Sequence, residues 1–277
     1  MSDSTLSKVP TADPAEHEAY FPSPYSLDAY TAPRTDFDGL ATEPNAWSGG
    51  RWKVLVLATD ERYLRMGNGT FFSTGNHPVE TLLPLHHVLG AGFGVEIATL
   101  TGNPAKFEWW AYPGEDEAVA GTRDRLLAQW RAPKSLAEVV ERELGDDSDY
   151  LAVFVPGGHG ALSGLPFSTD VRDTLEWAMR TDRLVVSLCH GPAAFLSTRI
   201  GRGRSELGPW YRTPVLRRTP SAGKDVVRAR SSPAGVPATR YRPGPFEGQA
   251  DLGNRQGPVV VGVVSAELGL PGRRRRR

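Results

Sequence analysis

A single cysteine among 277 residues, Cys189, stands in LVVSLCHGPAAFL, between an apolar run and a helix-like segment opening at Pro192. A thiol at such a turn faces unpaired backbone N–H groups, and the positive end of a helix dipole favours thiolate, the nucleophilic form. The other fate of a lone cysteine is a small buried hydrophobe, and position alone leaves both open. His190 follows directly and could move the thiol proton, as in other Cys–His pairs, or cap the helix. Glu80 is the third residue of a segment opening at Pro78, where a carboxylate is ordinarily a capping or dipole partner. It becomes a catalytic candidate only if the fold brings it beside Cys189. Gly157 and Gly158, in PGGHG, offer N–H groups to a developing oxyanion or form a plain turn. His159, next to them, either faces a substrate or caps.

These residues must be positioned by the elements around them. KVLVLAT (53–59), GVEIATL (94–100), YLAVFV (150–155) and LVVSL (184–188) read as strands buried on both faces. Between them lie helical segments: HPVETLLPLHHVLGAG, with Val79, Leu82, Leu83 and Leu89 on one stripe, SLAEVVEREL, and DVRDTLEWAMRTD. Strands alternating with helices predict an α/β fold, a parallel sheet with helices on both faces, whose ligands bind beyond the carboxyl ends of the strands. PGGHG and LCHG lie at two such ends. Residues 1–50, rich in Pro and aromatics, read as an N-terminal wrap, and 101–133, with Trp109, Trp110 and Trp130, as an insertion or cap.

Composition narrows the classes further. One cysteine forms no internal disulfide and excludes a zinc site built on several thiolates, so a reducing, cytoplasmic setting is expected. No transmembrane helix and no signal peptide are expected. Without a Walker A lysine or a GxGxxG fingerprint, nucleotide binding has no support. His86 and His87 are adjacent, fall on different helix faces, and read as a solvated edge rather than a metal pair.

The runs YFPSPYSLDAYTAP, ATDERYL, FFSTGNHPVETLLPL, KFEWWAYP, VFVPGGHGAL and VVSLCHGPAAFL resemble the glyoxalase III / protein deglycase branch (HchA type) of the PfpI superfamily, over about residues 17–200. The resemblance implies a flavodoxin-like core at 51–200 with a small cap built from the wrap and the 101–133 insertion. It implies Cys189 as nucleophile, His190 as catalytic histidine, Glu80 as the carboxylate touching the thiol, and Gly158 with the elbow backbone as oxyanion donors. The implied activity converts methylglyoxal to lactate without glutathione, cofactor or metal, with deglycation of early adducts on protein or nucleotides. The family's His/Glu/His metal set falls here at Leu89 and Gly94, so no such zinc site is expected. The alternatives are a stress holdase binding unfolded proteins, or an inactive truncated homologue. The expected partners are small aldehydes or glycated protein and nucleotides, with no specific nucleic acid, no membrane and a homodimer.

The resemblance stops near Gly201. Residues 1–200 hold 16 basic and 27 acidic residues, whereas 201–277 hold 16 basic and 5 acidic, with 12 Gly and 9 Pro, ending in RRRRR. This Arg/Pro/Gly segment reads as low-complexity and disordered. It has the character of a GC-rich gene read out of frame, or of a basic arm that binds acidic surfaces non-specifically. The aspartate that orients the histidine in the resembled family has no counterpart that Asp225 could fill.

Overall fold

The computed structural model describes residues 6–39 and 43–202, with the backbone of Val260–Val261. In chain order its elements are β1 (Thr11–Ala12), β2 (Ala19–Phe21), α1 (Pro24–Tyr30), β3 (Lys53–Leu57), β4 (Tyr63–Arg65), β5 (Phe71–Ser73), α2 (Pro78–Gly90) and β6 (Gly94–Thr99). They continue with α3 (Glu117–Arg125), α4 (Leu127–Arg131), β7 (Lys134–Ser135), α5 (Leu136–Arg142), β8 (Tyr150–Val155), α6 (Thr169–Arg180), β9 (Leu184–Ser187) and β10 (Val260–Val261). Among the described residues the main sheet has the order β10-β9-β8-β3-β6-β7, and every pairing in it is parallel. Helices cover both faces, so the α/β, flavodoxin-like architecture is the one observed.

The period of two along β3 explains the two-sided burial. Leu55 and Leu57 join Leu136, Val153, Val171 and Trp177 in one core. Val54 and Val56 join Leu82, Leu85, Ile97 and Trp130 in the other. Each fully buried aliphatic side chain is worth roughly 1.5–3 kcal/mol relative to exposure. The stripe of α2 differs from the expected one: the buried positions are Pro78, Thr81, Leu82 and Leu85, while Val79, Leu83 and Leu89 are only half-buried. The helix is rotated so that its small Thr81 faces the sheet, which a reading by hydrophobicity alone passes over.

The N-terminal segment and residues 63–73 build a second, four-stranded sheet of order β1-β2-β5-β4. Asn76 ties it to the main sheet. Its Oδ1 accepts from Thr59 N at 3.0 Å, and its Nδ2 donates to Thr59 O at 3.0 Å and Lys106 O at 2.7 Å. One buried amide thus joins the end of β3, the approach to α2 and the segment after β6. The expectation for 201–277 lies outside the described residues apart from Gly201, Arg202 and the two-residue β10.

Candidate active site

After β3 the chain turns to one side of the sheet to form β6, and later returns on the other side as β8 and β9. The crevice at such a reversal is where open α/β sheets hold ligands. Beyond the carboxyl ends of β8 and β9 lie Pro156–His159 and Cys189.

Cys189 adopts a left-handed backbone, φ 50°, between Leu188, whose N–H donates to Val155 O at 3.3 Å, and Gly191, whose N–H donates to Leu188 O at 2.7 Å. A non-glycine residue in this region is strained by about 1–3 kcal/mol, a cost tolerated where a side chain must be presented at a fixed angle. The segment that follows, Gly191–Arg199, is a 3₁₀ helix rather than the expected α-helix, with His190 at its N-cap but no side-chain capping bond. Instead His190 Nδ1 lies 3.1 Å from Cys189 Sγ. Of the two readings of His190, the contact with sulfur is the one observed.

Glu80 reaches the same sulfur from α2. The cap of that helix is His77, whose Nδ1 accepts from Glu80 N at 3.4 Å, so the Glu80 side chain is free to point elsewhere. Its charge acts on the thiol, and its Oε2 is buried without a hydrogen-bond partner. The close approach runs past Gly157. A Cβ there would overlap the Glu80 carboxylate and come within 2.8 Å of Cys189 Cβ, so only glycine lets these two side chains meet.

Backbone donors complete the site. The backbone N–H groups of Gly158 and His190 lie near the sulfur and lower the thiol's pKa. Gly158 has φ 105°, a conformation open mainly to glycine, and its turn is pinned by His77 N donating to Gly157 O at 2.9 Å. Paired backbone N–H groups are the kind of donor that can hold a developing negative charge.

Burial, then the Glu80 carboxylate, push the Cys189 thiol up to about 12, outweighing the backbone donors. Burial and the neighbouring His159 hold His190 below the ordinary histidine value, so its imidazole is neutral near pH 7 and able to accept a proton.

His159 does not cap. Its Nδ1 bonds Glu108 at 2.8 Å, its ring lies 4.5 Å from that of His190, and it lines a cavity of about 920 Å³ with Tyr20, Phe72 and Trp110. Glu108 and His77 escaped the sequence reading. Glu108 stands in an aromatic run, KFEWWAYP, where its burial has no periodic signature, and His77 was hidden by reading Pro78 as the start of the helix. His86 and His87 are not a solvated edge: Phe37 packs edge-on against both rings at 5.5 and 5.1 Å. Among the described residues no group of three His, Cys, Asp or Glu side chains is placed to hold a metal ion, and no helix is long and apolar enough to cross a membrane.

No family model matches the chain. Curated relatives do: the protein/nucleic acid deglycase HchA of Staphylococcus aureus strain MRSA252 is 58% identical over 202 residues, 73% of this chain and 69% of the relative. The protein of the same name from the bovine strain RF122 / ET3-1 shows the same identity and coverage. Among solved structures, glyoxalase III of Candida albicans is 23% identical with a TM-score of 0.42, covering 52% of this chain and 59% of that one. Rapid Encystment Protein 24 KDa of Francisella tularensis is 20% identical with a TM-score of 0.43, covering 52% and 61%. The chain thus spans about three fifths of the length of these solved proteins. With the thiol, imidazole and carboxylate gathered at one sheet edge and 58% identity over 69% of the relative's length, the chain belongs to the HchA protein/nucleic acid deglycase family.

Proposed function

We propose that the chain is a cysteine-dependent enzyme of reactive-carbonyl chemistry, converting methylglyoxal to lactate without glutathione and hydrolysing early glycation adducts of protein and nucleotides. The observation that carries this reading is the meeting of Cys189 Sγ with His190 Nδ1 at 3.1 Å and with the Glu80 carboxylate. The names of the HchA relatives and of the glyoxalase III structure support the substrate class.

A thiol with its pKa near 12 is a weak nucleophile until its proton leaves. Neutral His190 or Glu80 accepts that proton as sulfur bonds to the aldehyde carbon, a general-base step worth typically 10²–10⁴-fold. The former carbonyl oxygen takes up negative charge facing Gly158 N–H and His190 N–H, and is protonated to a hemithioacetal. Loss of the proton on the sulfur-bearing carbon gives an enediol. Return of a proton to the neighbouring carbon gives a lactoyl thioester, and water then releases lactate and restores the thiol. Atoms balance as methylglyoxal plus water giving lactate, with no external redox partner. Carbinolamines formed by methylglyoxal on amines present the same carbon at the same oxidation level.

Cys189→Ala should abolish lactate formation from methylglyoxal while leaving suppression of client aggregation unchanged. A variant that still makes lactate at the original rate removes the nucleophile assignment. If only the aggregation assay responds to the protein, the holdase reading replaces the enzymatic one.

A further inference from the structure

One buried carboxylate has no part in that mechanism. Glu108 lies in the segment between β6 and α3, and its side chain is 0% exposed. A single oxygen, Oε1, accepts from Thr74 Oγ1 at 2.7 Å, His159 N at 3.0 Å and His159 Nδ1 at 2.8 Å, while Oε2 is buried without a partner. An ionised carboxylate can only accept, so His159 Nδ1 carries the hydrogen, which fixes both the ring's tautomer and its plane. The ring is then held between Phe72, edge-on at 5.2 Å, and His190, at 4.5 Å with an interplanar angle of 33°.

We propose that Glu108 and His159 form a positioning pair for His190: the buried carboxylate fixes the His159 ring, and that ring, stacked on His190, holds its imidazole against the thiol. The pair reaches His190 from a different direction than a residue hydrogen-bonded to its ring would, and it draws on segments that precede Gly201. Its worth to catalysis rests on the reading of Cys189 as nucleophile; its geometry does not.

The groups facing His190 are Cys189 beside it, His159 stacked on it, Glu108 behind His159, and His77 from the start of α2. Burial lowers its pKa, His159 and His77 lower it further, and Glu108 opposes them. Removing the two members of the pair must therefore move His190 in opposite directions. A merely structural role for either would not produce that sign pattern.

The test titrates the Cε1–H resonances of the full chain with ¹³C-labelled histidine, with His190→Gln assigning the His190 signal. His159→Asn should raise the His190 midpoint by about half to one pH unit, and Glu108→Gln should lower it, shifts of the size that neighbouring charges impose. An unchanged His190 midpoint in His159→Asn overturns the proposal, and that variant alone decides the matter if Glu108→Gln does not fold, because His159 is partly exposed. The readout is independent of turnover. A wild-type chain that makes no lactate yet shows the predicted shifts counts against the aldehyde reading alone, whereas an active chain with unmoved midpoints counts against the pair alone.

Discussion

At the scale of single residues, the sulfur and the carboxylate beside it make opposing demands that can be separated experimentally. Glu80 raises the thiol pKa, so Glu80→Gln should lower it and speed alkylation of Cys189 by iodoacetamide at pH 8 by about three- to tenfold, because the larger thiolate fraction outweighs the lower intrinsic nucleophilicity of each thiolate. The same variant should lose about 10²-fold or more in lactate formation. Parallel losses in both rates would place Glu80 in a purely structural role. Gly157→Ala should cost at least as much activity, because its Cβ overlaps the Glu80 carboxylate, and about 1–3 kcal/mol of stability from overpacking, measurable by denaturant titration. Glu108 makes a stability prediction of its own. Burial raises its pKa, but the bonds from His159 and Thr74 outweigh this and leave it below the ordinary 4.5. Its pairing is therefore fully stabilising above that value and is lost as pH falls through the depressed one. Glu108→Ala should remove about 3–5 kcal/mol at pH 7 by leaving the pair broken in the interior, with a smaller penalty in acid.

At the scale of elements, the site is held by two turns at the ends of the parallel strands β8 and β9 and by the first turn of α2. Leu82, two residues from Glu80, is fully buried against the sheet. Leu82→Ala should cost about 2–5 kcal/mol by thermal or chemical denaturation and disturb activity through Glu80 rather than through Cys189, leaving alkylation nearly unchanged. This level was also where the sequence was most readable. The four apolar runs became β3, β6, β8 and β9 within a residue or two, because strands buried on both faces need unbroken apolar stretches. Cys189 and His190 were nameable from their place between a strand end and a helix start, whereas Glu80 read as a cap and became a candidate through the resemblance. The upward push on the thiol was not legible, since it comes first from burial and then from a carboxylate more than a hundred residues away. Glu108 was equally hidden: a buried charge is specified by its partners Thr74 and His159, which no local pattern announces.

At the scale of the whole molecule, the acidic excess of residues 1–200 and the basic excess of 201–277 divide the chain where the likeness to the HchA relatives ends. Among the described residues, the outer edge of the four-residue β9 is met only by Val260–Val261, a short pairing for a strand whose end carries Cys189. A chimera in which residues 203–277 are replaced by the matching end of an HchA relative should melt at a higher temperature and turn over faster. Equal midpoints and equal rates for the two chains would remove that argument. The central claim is that the lone sulfur does the chemistry, and the most direct measurement is graded alkylation of the wild-type chain, with peptide mass spectrometry fixing the label on Cys189 and lactate formation assayed on each fraction. The account predicts that activity falls in proportion to the labelled fraction and reaches background at full labelling; lactate still forming from fully labelled, folded protein would contradict it.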